Sequence, residues 1–305
     1  MKVCVTGSGG LIGSALVRRL ETDGHQVVRL VRTGSGPPAP GTATWDPSTG
    51  VVEPSALDRT GAVVHLAGAG IGDRRWSESY KRTLLRSRVD GTTTIAQAVA
   101  GRGREAPALI SGSAIGYYGN DRGDTVLTED DAPGTDFLAR LCVEWESATA
   151  PARQAGARVV HLRTGLVLSA AGGVLARQLP LFRLGVGGRL GAGRQYQSWI
   201  TRHDEVAAIV HALNDDSLSG PLNLTAPGAV TNAEMASAIG QALRRPSFLS
   251  VPAPAMRLAF GREMADETVL AGQRVIPARL QASGFHFAHA DLRDALRAAL
   301  ADRAK

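Results

Sequence analysis

The sequence predicts an α/β fold, in which a doubly wound parallel sheet carries helices on both faces. The chain opens with a short apolar strand, Val3–Val5, which runs into glycines and then into an amphipathic helix beginning at Leu11. Strand and helix patterns alternate through the first half of the chain, as is typical of a parallel sheet. After about Gly165 the alternation loosens, which predicts a smaller C-terminal α/β lobe. We therefore expect two domains, residues 1–165 and 166–305, with later segments returning to the first.

Each further element follows from the spacing of apolar residues. Short continuous apolar runs indicate buried strands, and apolar positions three or four residues apart indicate helices. The predicted strands after the first are Gln26–Val31, Ala62–Leu66, Ala108–Ser111 and Arg158–Leu162. The predicted helices after the first are Tyr80–Val99, Phe137–Ala150, Asp204–Leu213, Asn232–Leu243 and Leu292–Leu300. Clusters of glycine, proline and aspartate predict loops at Gly34–Gly41, Gly116–Gly134 and Gly185–Gly193.

The composition is that of a globular protein and argues against several classes. Apolar residues make up 44% and charged residues 20% of the 305 residues. The formal charge is +6, but the arginines are scattered without a basic run, so we expect no nucleic-acid partner. No apolar run approaches the length of a membrane span, and we expect a cytoplasmic monomer or homodimer with no membrane partner. Cys4 and Cys142 lie far apart, so we expect two reduced thiols and no metal site.

The turn after the first strand has the composition of a dinucleotide-binding turn. Gly7, Gly10 and Gly13 repeat every third residue between a strand and a helix. Such glycines permit a tight turn, allow the backbone to approach a pyrophosphate, and let the helix pack closely on the strand. The free N–H groups of the helix N-terminus then face the phosphates. The candidate cofactor-binding residues of this Rossmann-type turn are Thr6, Gly7, Ser8, Gly9, Gly10, Leu11, Ile12 and Gly13.

The end of the second predicted strand indicates which dinucleotide is bound. Sites that prefer NAD end this strand with an acidic residue that holds the ribose hydroxyls. Here the strand continues into Arg32 and has no carboxylate. A guanidinium suits the 2′-phosphate of NADP(H) well, so we predict NADP(H) as the cofactor. The alternative is that Arg32 is a solvated residue at a strand end.

Several motifs together resemble the extended short-chain dehydrogenase/reductase superfamily. They are the glycine turn, the segment His65–Gly68 and the segment Ser111–Ala114. Other segments resemble its "epimerase family protein" branch, which has a distinctive C-terminal domain: Trp45–Pro47, Arg75–Trp76, Ser87–Thr92, Ser113–Gly119, Trp145–Glu146, Leu162–Gly165, Ser198–Ile200, Gly272–Val275 and Gly284–Phe285. The resemblance covers essentially the whole chain. It implies further cofactor contacts at Leu66, Ala67 and Gly68, and at Arg163 beside the nicotinamide.

The resemblance also implies a catalytic pair that this chain lacks. Enzymes of the superfamily usually use Tyr-x-x-x-Lys, in which the lysine lowers the pKa of the tyrosine for proton exchange. No tyrosine of this sequence has a lysine four residues later. If Glu146 occupies the usual acidic position of the helix, Cys142 stands where the lysine belongs and Leu138 where the tyrosine belongs. We therefore expect another group to handle the proton.

Three residues are the candidate catalytic groups. Ser113 corresponds to the serine of the superfamily and can hydrogen-bond a substrate oxygen. Tyr117 or Tyr118 could donate a phenolic proton, with packing beneath the following loop as the alternative role. Cys142 and Lys81 are weaker candidates, since a buried apolar role suits the first and a solvated helix position suits the second.

Two functions remain open. The first is an NADP(H)-dependent oxidoreductase or epimerase that acts on a small carbonyl or hydroxyl compound. Arg189 and Arg194 in the glycine-rich loop could clamp an anionic group of that substrate, or the loop is simply solvent-exposed. The second is a sensor or scaffold that binds NADP(H) without turnover, for which loss of the Tyr/Lys pair is expected.

Overall fold

The largest element of the fold is an eight-stranded sheet, seen in a computed structural model that describes residues 1–34 and 39–302. The strands of the described residues are β1 Lys2–Thr6, β2 Gln26–Arg32, β3 Thr42–Asp46, β4 Val51–Val52, β5 Thr60–His65, β6 Ala108–Ala114, β7 Asp121–Leu127, β8 Val159–Thr164, β9 Leu166–Leu168, β10 Gly188–Leu190, β11 Tyr196–Gln197, β12 Trp199–Thr201, β13 Gly220–Leu224, β14 Val230–Thr231, β15 Leu249–Val251 and β16 Gly272–Val275.

The α-helices of the same residues are α1 Leu11–Thr22, α2 Glu78–Ala100, α3 Phe137–Ser147, α4 Ala150–Gln154, α5 Gly173–Arg183, α6 Arg202–Asn214, α7 Asn232–Leu243, α8 Ala253–Phe260, α9 Arg262–Met264, α10 Ala278–Ala282 and α11 Leu292–Ala301. Within the described residues, none of these helices has the length and apolar character that a membrane crossing requires.

The strand order of the large sheet is β13-β8-β6-β5-β1-β2-β3-β4. Strand β1 pairs in parallel with β2 on one side and with β5 on the other, and the short edge strand β4 runs antiparallel to β3. The chain moves outward from β1 through β2 and then returns to β5, so the strand order reverses between β1 and β5. This is the doubly wound, Rossmann-type arrangement that the sequence predicts, and ligands bind at such a reversal.

Local patterns explain the centre of this sheet. Val3, Cys4 and Val5 are completely buried, as a central parallel strand requires. Leu16 and Leu20, four residues apart on one face of α1, are also completely buried. Cys4 and Cys142 are both free thiols.

The predicted helix Phe137–Ala150 is wrong at its C-terminal end. Helix α3 ends at Ser147, and α4 begins separately at Ala150. Pro151 lies in the first turn of α4, where its missing N–H costs no helical hydrogen bond. The same residue within a longer helix would have removed one.

Two predicted loops contain strands. The predicted loop Gly116–Gly134 overlaps a short 3₁₀ helix, Ile115–Tyr118. Strand β7 follows it and pairs in parallel with β16. Within Gly185–Gly193 lies β10, which pairs in parallel with β15. In both cases the partner strand is far along the chain, so no local pattern reveals it. Residues 35–38 of the predicted Gly34–Gly41 loop lie outside the described residues.

The chain divides into two compact units. Unit one comprises Met1–Ser113, Leu141–Leu162 and Val206–Leu222, and unit two comprises Ala114–Arg140, Arg163–Glu205 and the chain from Asn223 onward. Unit two has its own apolar core, which includes Leu175, Leu179, Trp199 and Ile239. The predicted domain boundary between residues 165 and 166 stays a prediction.

Candidate functional site

The glycine turn of unit one has a backbone that only glycine accommodates. Gly7 adopts a φ of +65°, and a Cβ added there would lie 2.8 Å from the carbonyl carbon of Leu66. A Cβ on Gly13 would overlap the carbonyl oxygen of Gly7. Gly10 is the N-cap of α1, and no side chain among the described residues caps it. The amide hydrogens at the start of α1 are therefore left for a ligand.

Thr6 shapes the site from behind. Its side chain is completely buried, and its Oγ1 accepts hydrogen bonds from the N–H groups of Leu66 at 3.1 Å and Ala67 at 3.2 Å. The same hydroxyl bonds to Nδ1 of His65 at 2.8 Å. Burial lowers the pKa of His65 to about 4, so the ring is neutral near pH 7. The Thr6 hydroxyl, which is bonded to His65, thereby holds the loop after β5 in place.

A cavity of about 380 Å³ joins the predicted cofactor residues. It is lined by Gly7, Ser8, Gly9, Gly10, Leu30, Val31, Arg32, Trp45, Leu66, Ala67 and Gly68. The structure thus brings together the glycine turn, Arg32 at the end of β2 and the loop after β5. Thr6, Leu11, Ile12 and Gly13 support the cavity without lining it. Backbone donors beside a guanidinium fit the diphosphate and the 2′-phosphate of NADP(H), and the volume suits a bound cofactor.

Arg88 is a functional candidate that the sequence reasoning missed. Only 7% of it is exposed, and its guanidinium lies 5.0 Å from the ring centre of Trp145. Its Cζ is 3.5 Å from the position that a Cβ of Gly68 would take. Nη1 donates to the carbonyl of Leu84 at 3.2 Å, whereas Nε has no hydrogen-bond partner in the described chain. Burial lowers the pKa of this guanidinium, and the nearby Cys142 opposes that effect.

The spacing of apolar residues along α2 indicates that Arg88 lies on the buried face of this helix. Leu84, Arg88, Thr92 and Ile95 recur at helical spacing, and all four are buried. An arginine in that series is a cation on the inner face of a helix, where charge is rare unless it has a partner or a ligand.

Ser113 belongs to a hydrogen-bonded group at the carboxyl end of β6. Its hydroxyl donates to Oε1 of Glu146 at 2.7 Å. Oε2 of Glu146 lies 3.8 Å from Nδ1 of His161, and Nε2 of that ring lies 2.9 Å from Oγ1 of Thr149. All four residues belong to unit one and have little exposed surface. The arrangement can pass a proton between the serine and the carboxylate.

The two candidate tyrosines have different surroundings in unit two. Tyr118 is completely buried, donates to Oδ1 of Asn223 at 2.7 Å and accepts from Nη1 of Arg163 at 3.0 Å. Burial raises the pKa of Tyr118 to about 12, although Arg163 opposes the shift. Tyr117 is partly exposed, and the guanidinium of Arg163 lies 3.4 Å from its ring centre. These contacts favour Tyr117 over Tyr118 as a proton donor.

The weaker catalytic candidates and the candidate anion clamp lie in different parts of the fold. Cys142 is buried in α3, and Lys81 pairs with Glu78 at 2.9 Å in the first turn of α2. Arg194 lines a cavity of about 340 Å³ in unit two, together with Asn120, Asp124 and Tyr196, among others. The catalytic roles of Cys142 and Lys81 and the anion-clamping role of Arg194 stay predictions. The position of Arg163 beside the nicotinamide also stays a prediction.

The fold and the cavity define a dinucleotide-binding protein of the extended short-chain dehydrogenase/reductase type. The chain belongs to the NAD dependent epimerase/dehydratase family, which residues 3–224 match. Residues 251–299 match a domain of unknown function, DUF1731, which accounts for the distinctive C-terminal segment.

Individual proteins agree with this assignment. "Epimerase family protein Mb2239" of Mycobacterium bovis is 50% identical over 294 residues, which cover 96% of each chain. The crystal structure of human epimerase family protein SDR39U1 (isoform 2) with NADPH has 34% identity and a TM-score of 0.89, over 99% of this chain and 100% of that one. A nucleoside-diphosphate sugar epimerase from Corynebacterium glutamicum has 38% identity and a TM-score of 0.79, over 97% of this chain and 57% of that one.

Proposed function

We propose that this chain binds NADP(H) in the 380 Å³ cavity and transfers a hydride between the nicotinamide and a hydroxyl or carbonyl carbon of a small substrate. The observation that carries the proposal is the joint placement of the glycine turn and Arg32 around one cavity. The amide hydrogens of the turn bind the diphosphate, and Arg32 binds the 2′-phosphate. The presence of NADPH in the crystal structure of the human relative supports this choice of cofactor.

Arg88 supplies a second positive charge to the same site. It packs against Gly68, which lines the cavity, and the described chain gives it no ion pair. A buried cation without a counter-charge is unfavourable, and an anionic ligand such as a phosphorylated cofactor removes that penalty. We assign Arg88 to positioning the Gly68 loop and to stabilising the bound cofactor.

The substrate side is assigned from the candidate residues and the relatives. Ser113 is our candidate for holding the reacting oxygen, Tyr117 is a candidate proton donor, and residues 166–305 are our candidate for substrate selection. A sugar nucleotide is the first substrate class to test, because the relative from C. glutamicum bears the name of a nucleoside-diphosphate sugar epimerase. The phosphates of such a substrate would suit the predicted clamp of Arg189 and Arg194.

Calorimetric titration with NADPH and NADH tests the cofactor assignment. We expect the wild type to bind NADPH more tightly than NADH, and Arg32→Ser to weaken NADPH binding about tenfold to a hundredfold while leaving NADH binding nearly unchanged. Arg29→Ser is the matched control, since Arg29 lies on the same strand, outside the cavity, and pairs with Glu21 at 2.8 Å. Equal losses in both variants would contradict the role of Arg32.

A second candidate function is cofactor binding without turnover, and the absence of a Tyr-x-x-x-Lys pair from the sequence favours it. The discriminating experiment follows NADPH absorbance with a panel of carbonyl compounds, and NADP⁺ reduction with sugar nucleotides. Tight cofactor binding without turnover on any member of the panel would favour a sensor or scaffold.

A further inference from the structure

The carboxylate of Glu146 is the nearest ionisable partner of the candidate substrate-holding residue. The Ser113 hydroxyl donates its single hydrogen to Oε1 of Glu146 at 2.7 Å. Ser113 is 5% exposed, and the Glu146 side chain is 10% exposed. Bulk water therefore has little access to this contact, and a proton that crosses it stays in the protein.

We propose that Glu146 is the group that takes up and returns the reaction proton, and that the hydroxyl of Ser113 relays it. This inference rests on the proposed hydride-transfer function. It supplies a base in a chain whose helix α3 has Cys142 one turn earlier, where the superfamily usually places a lysine. Glu146 here replaces the proton-handling role of the Tyr/Lys pair.

The proton balance is complete. When a substrate hydroxyl is oxidised, two electrons and one hydrogen leave its carbon as a hydride, which the nicotinamide accepts when bound. The hydroxyl proton remains. It bonds to Oγ of Ser113 as the original Ser113 proton passes to Oε1 of Glu146, so the carboxylate becomes a carboxylic acid and the substrate C–O bond becomes C=O. Reduction of a carbonyl reverses each transfer.

The donor and acceptor capacities of Ser113 allow this direction. A serine hydroxyl has one hydrogen and two lone pairs. Because its hydrogen points to Glu146, the lone pairs are left to accept from a substrate hydroxyl. His161 lies 3.8 Å from the other carboxylate oxygen, and its second ring nitrogen is bonded to Thr149.

Other candidate acids are less suited by their surroundings. Tyr118 is completely buried, and its single hydroxyl hydrogen is already donated to Asn223, so that hydrogen is not available to a substrate. Cys142 is only 2% exposed. Glu146 is thus the carboxylate in contact with a residue that the family resemblance places at the reacting oxygen.

The test uses the full chain with Glu146→Gln, Glu146→Asp and Ser113→Ala. Glu144→Gln is the matched control, because Glu144 lies on the same helix and is exposed. The first readout is the dissociation constant for NADPH, which we expect to stay within about twofold in all four variants. The second is the infrared carboxylate band that is lost in Glu146→Gln. We expect Ser113→Ala to shift this band and the control to leave it in place.

The third readout is the rate of NADPH oxidation or NADP⁺ reduction with the carbonyl and sugar-nucleotide panel. We expect Glu146→Gln to lower kcat by about 10²- to 10⁴-fold, the usual contribution of a general acid or base. Glu146→Asp should recover part of the loss, whereas Glu144→Gln should match the wild type. The double variant Ser113→Ala/Glu146→Gln should lose little beyond either single variant, because the two residues act in series.

The outcomes separate the relay from the function on which it rests. Wild-type turnover that Glu146→Gln retains, or a carboxylate band that Ser113→Ala leaves unshifted, overturns the relay alone. A wild type that binds NADPH but turns over no member of the panel overturns the redox reaction and the relay together. A wild type that does not bind NADPH overturns the cofactor assignment itself.

Discussion

The buried carboxyl of Glu205 should make the free energy of unfolding depend on pH. It is completely buried in α6, and its Oε1 accepts a hydrogen bond from Oγ1 of Thr164 at 2.8 Å. Its Oε2 has no partner among the described residues. Burial raises the pKa of Glu205 to about 8, although the Thr164 hydrogen bond opposes the shift. The folded chain therefore keeps this carboxyl protonated near neutral pH.

The sign and size of the effect follow from proton linkage. An unfolded glutamate ionises near pH 4.5, so between pH 4.5 and pH 8 the folded state binds more protons than the unfolded state. The free energy of unfolding must then fall as the pH rises through this window, by about 1.4 kcal/mol per pH unit. Over the whole window the upper limit is roughly 5 kcal/mol. Glutamine has the shape of the protonated acid and does not ionise.

Urea unfolding of the wild type and Glu205→Gln at several pH values from 5 to 8 measures this difference. We expect similar free energies of unfolding at pH 5 and an increasing advantage of the variant towards pH 8. Glu105→Gln is the control, because the side chain of Glu105 is 84% exposed and should add no slope. A difference between Glu205→Gln and the wild type that stays constant from pH 5 to pH 8 would refute the reasoning.

Four other substitutions, of which Gly9→Ala is a control, test separate features of the structure by urea unfolding. Gly7→Ala should lower the free energy of unfolding by at least about 2 kcal/mol because of its positive φ and the nearby backbone, whereas Gly9→Ala, whose Cβ would meet nothing within 4 Å, should be neutral. Equal effects of the two would contradict this turn geometry. Tyr118→Phe should cost about 1–3 kcal/mol, because Oδ1 of Asn223 loses its donor; an unchanged value would mean that this hydrogen bond is absent. The lowered pKa of His65, about 4 against 6.5, makes the unfolded state bind more protons in that window. Stability should therefore fall by roughly 3 kcal/mol from pH 6.5 to pH 4, and a His65→Asn variant that keeps the same slope would rule this out.

The sequence predicts the elements whose signals are local. Helix α1 and strand β1 follow from apolar periodicity and a glycine turn within the first 22 residues. Strand β7 was missed because its partner β16 lies far along the chain and because glycine and aspartate in its sequence indicate a loop. Pairing of this kind is decided by tertiary contacts.

The same division holds for the candidate site. Arg32 was proposed as the 2′-phosphate ligand because the second strand ends without a carboxylate, and the fold places Arg32 and the glycine turn around one cavity. Ser113 and Glu146 were singled out separately, but they are 33 residues apart, and only the fold shows their contact. Arg88 was quoted as part of a motif and was not recognised as a buried cation, although its spacing from Leu84 and Ile95 carries that information.

The most direct test of the central claim is a crystal structure of this chain grown or soaked with NADPH. The account predicts the diphosphate against the glycine turn and the amide groups at the start of α1, and the 2′-phosphate within hydrogen-bond distance of Arg32. NADPH bound elsewhere on the chain, or its absence from this cavity at a saturating concentration, would contradict the account.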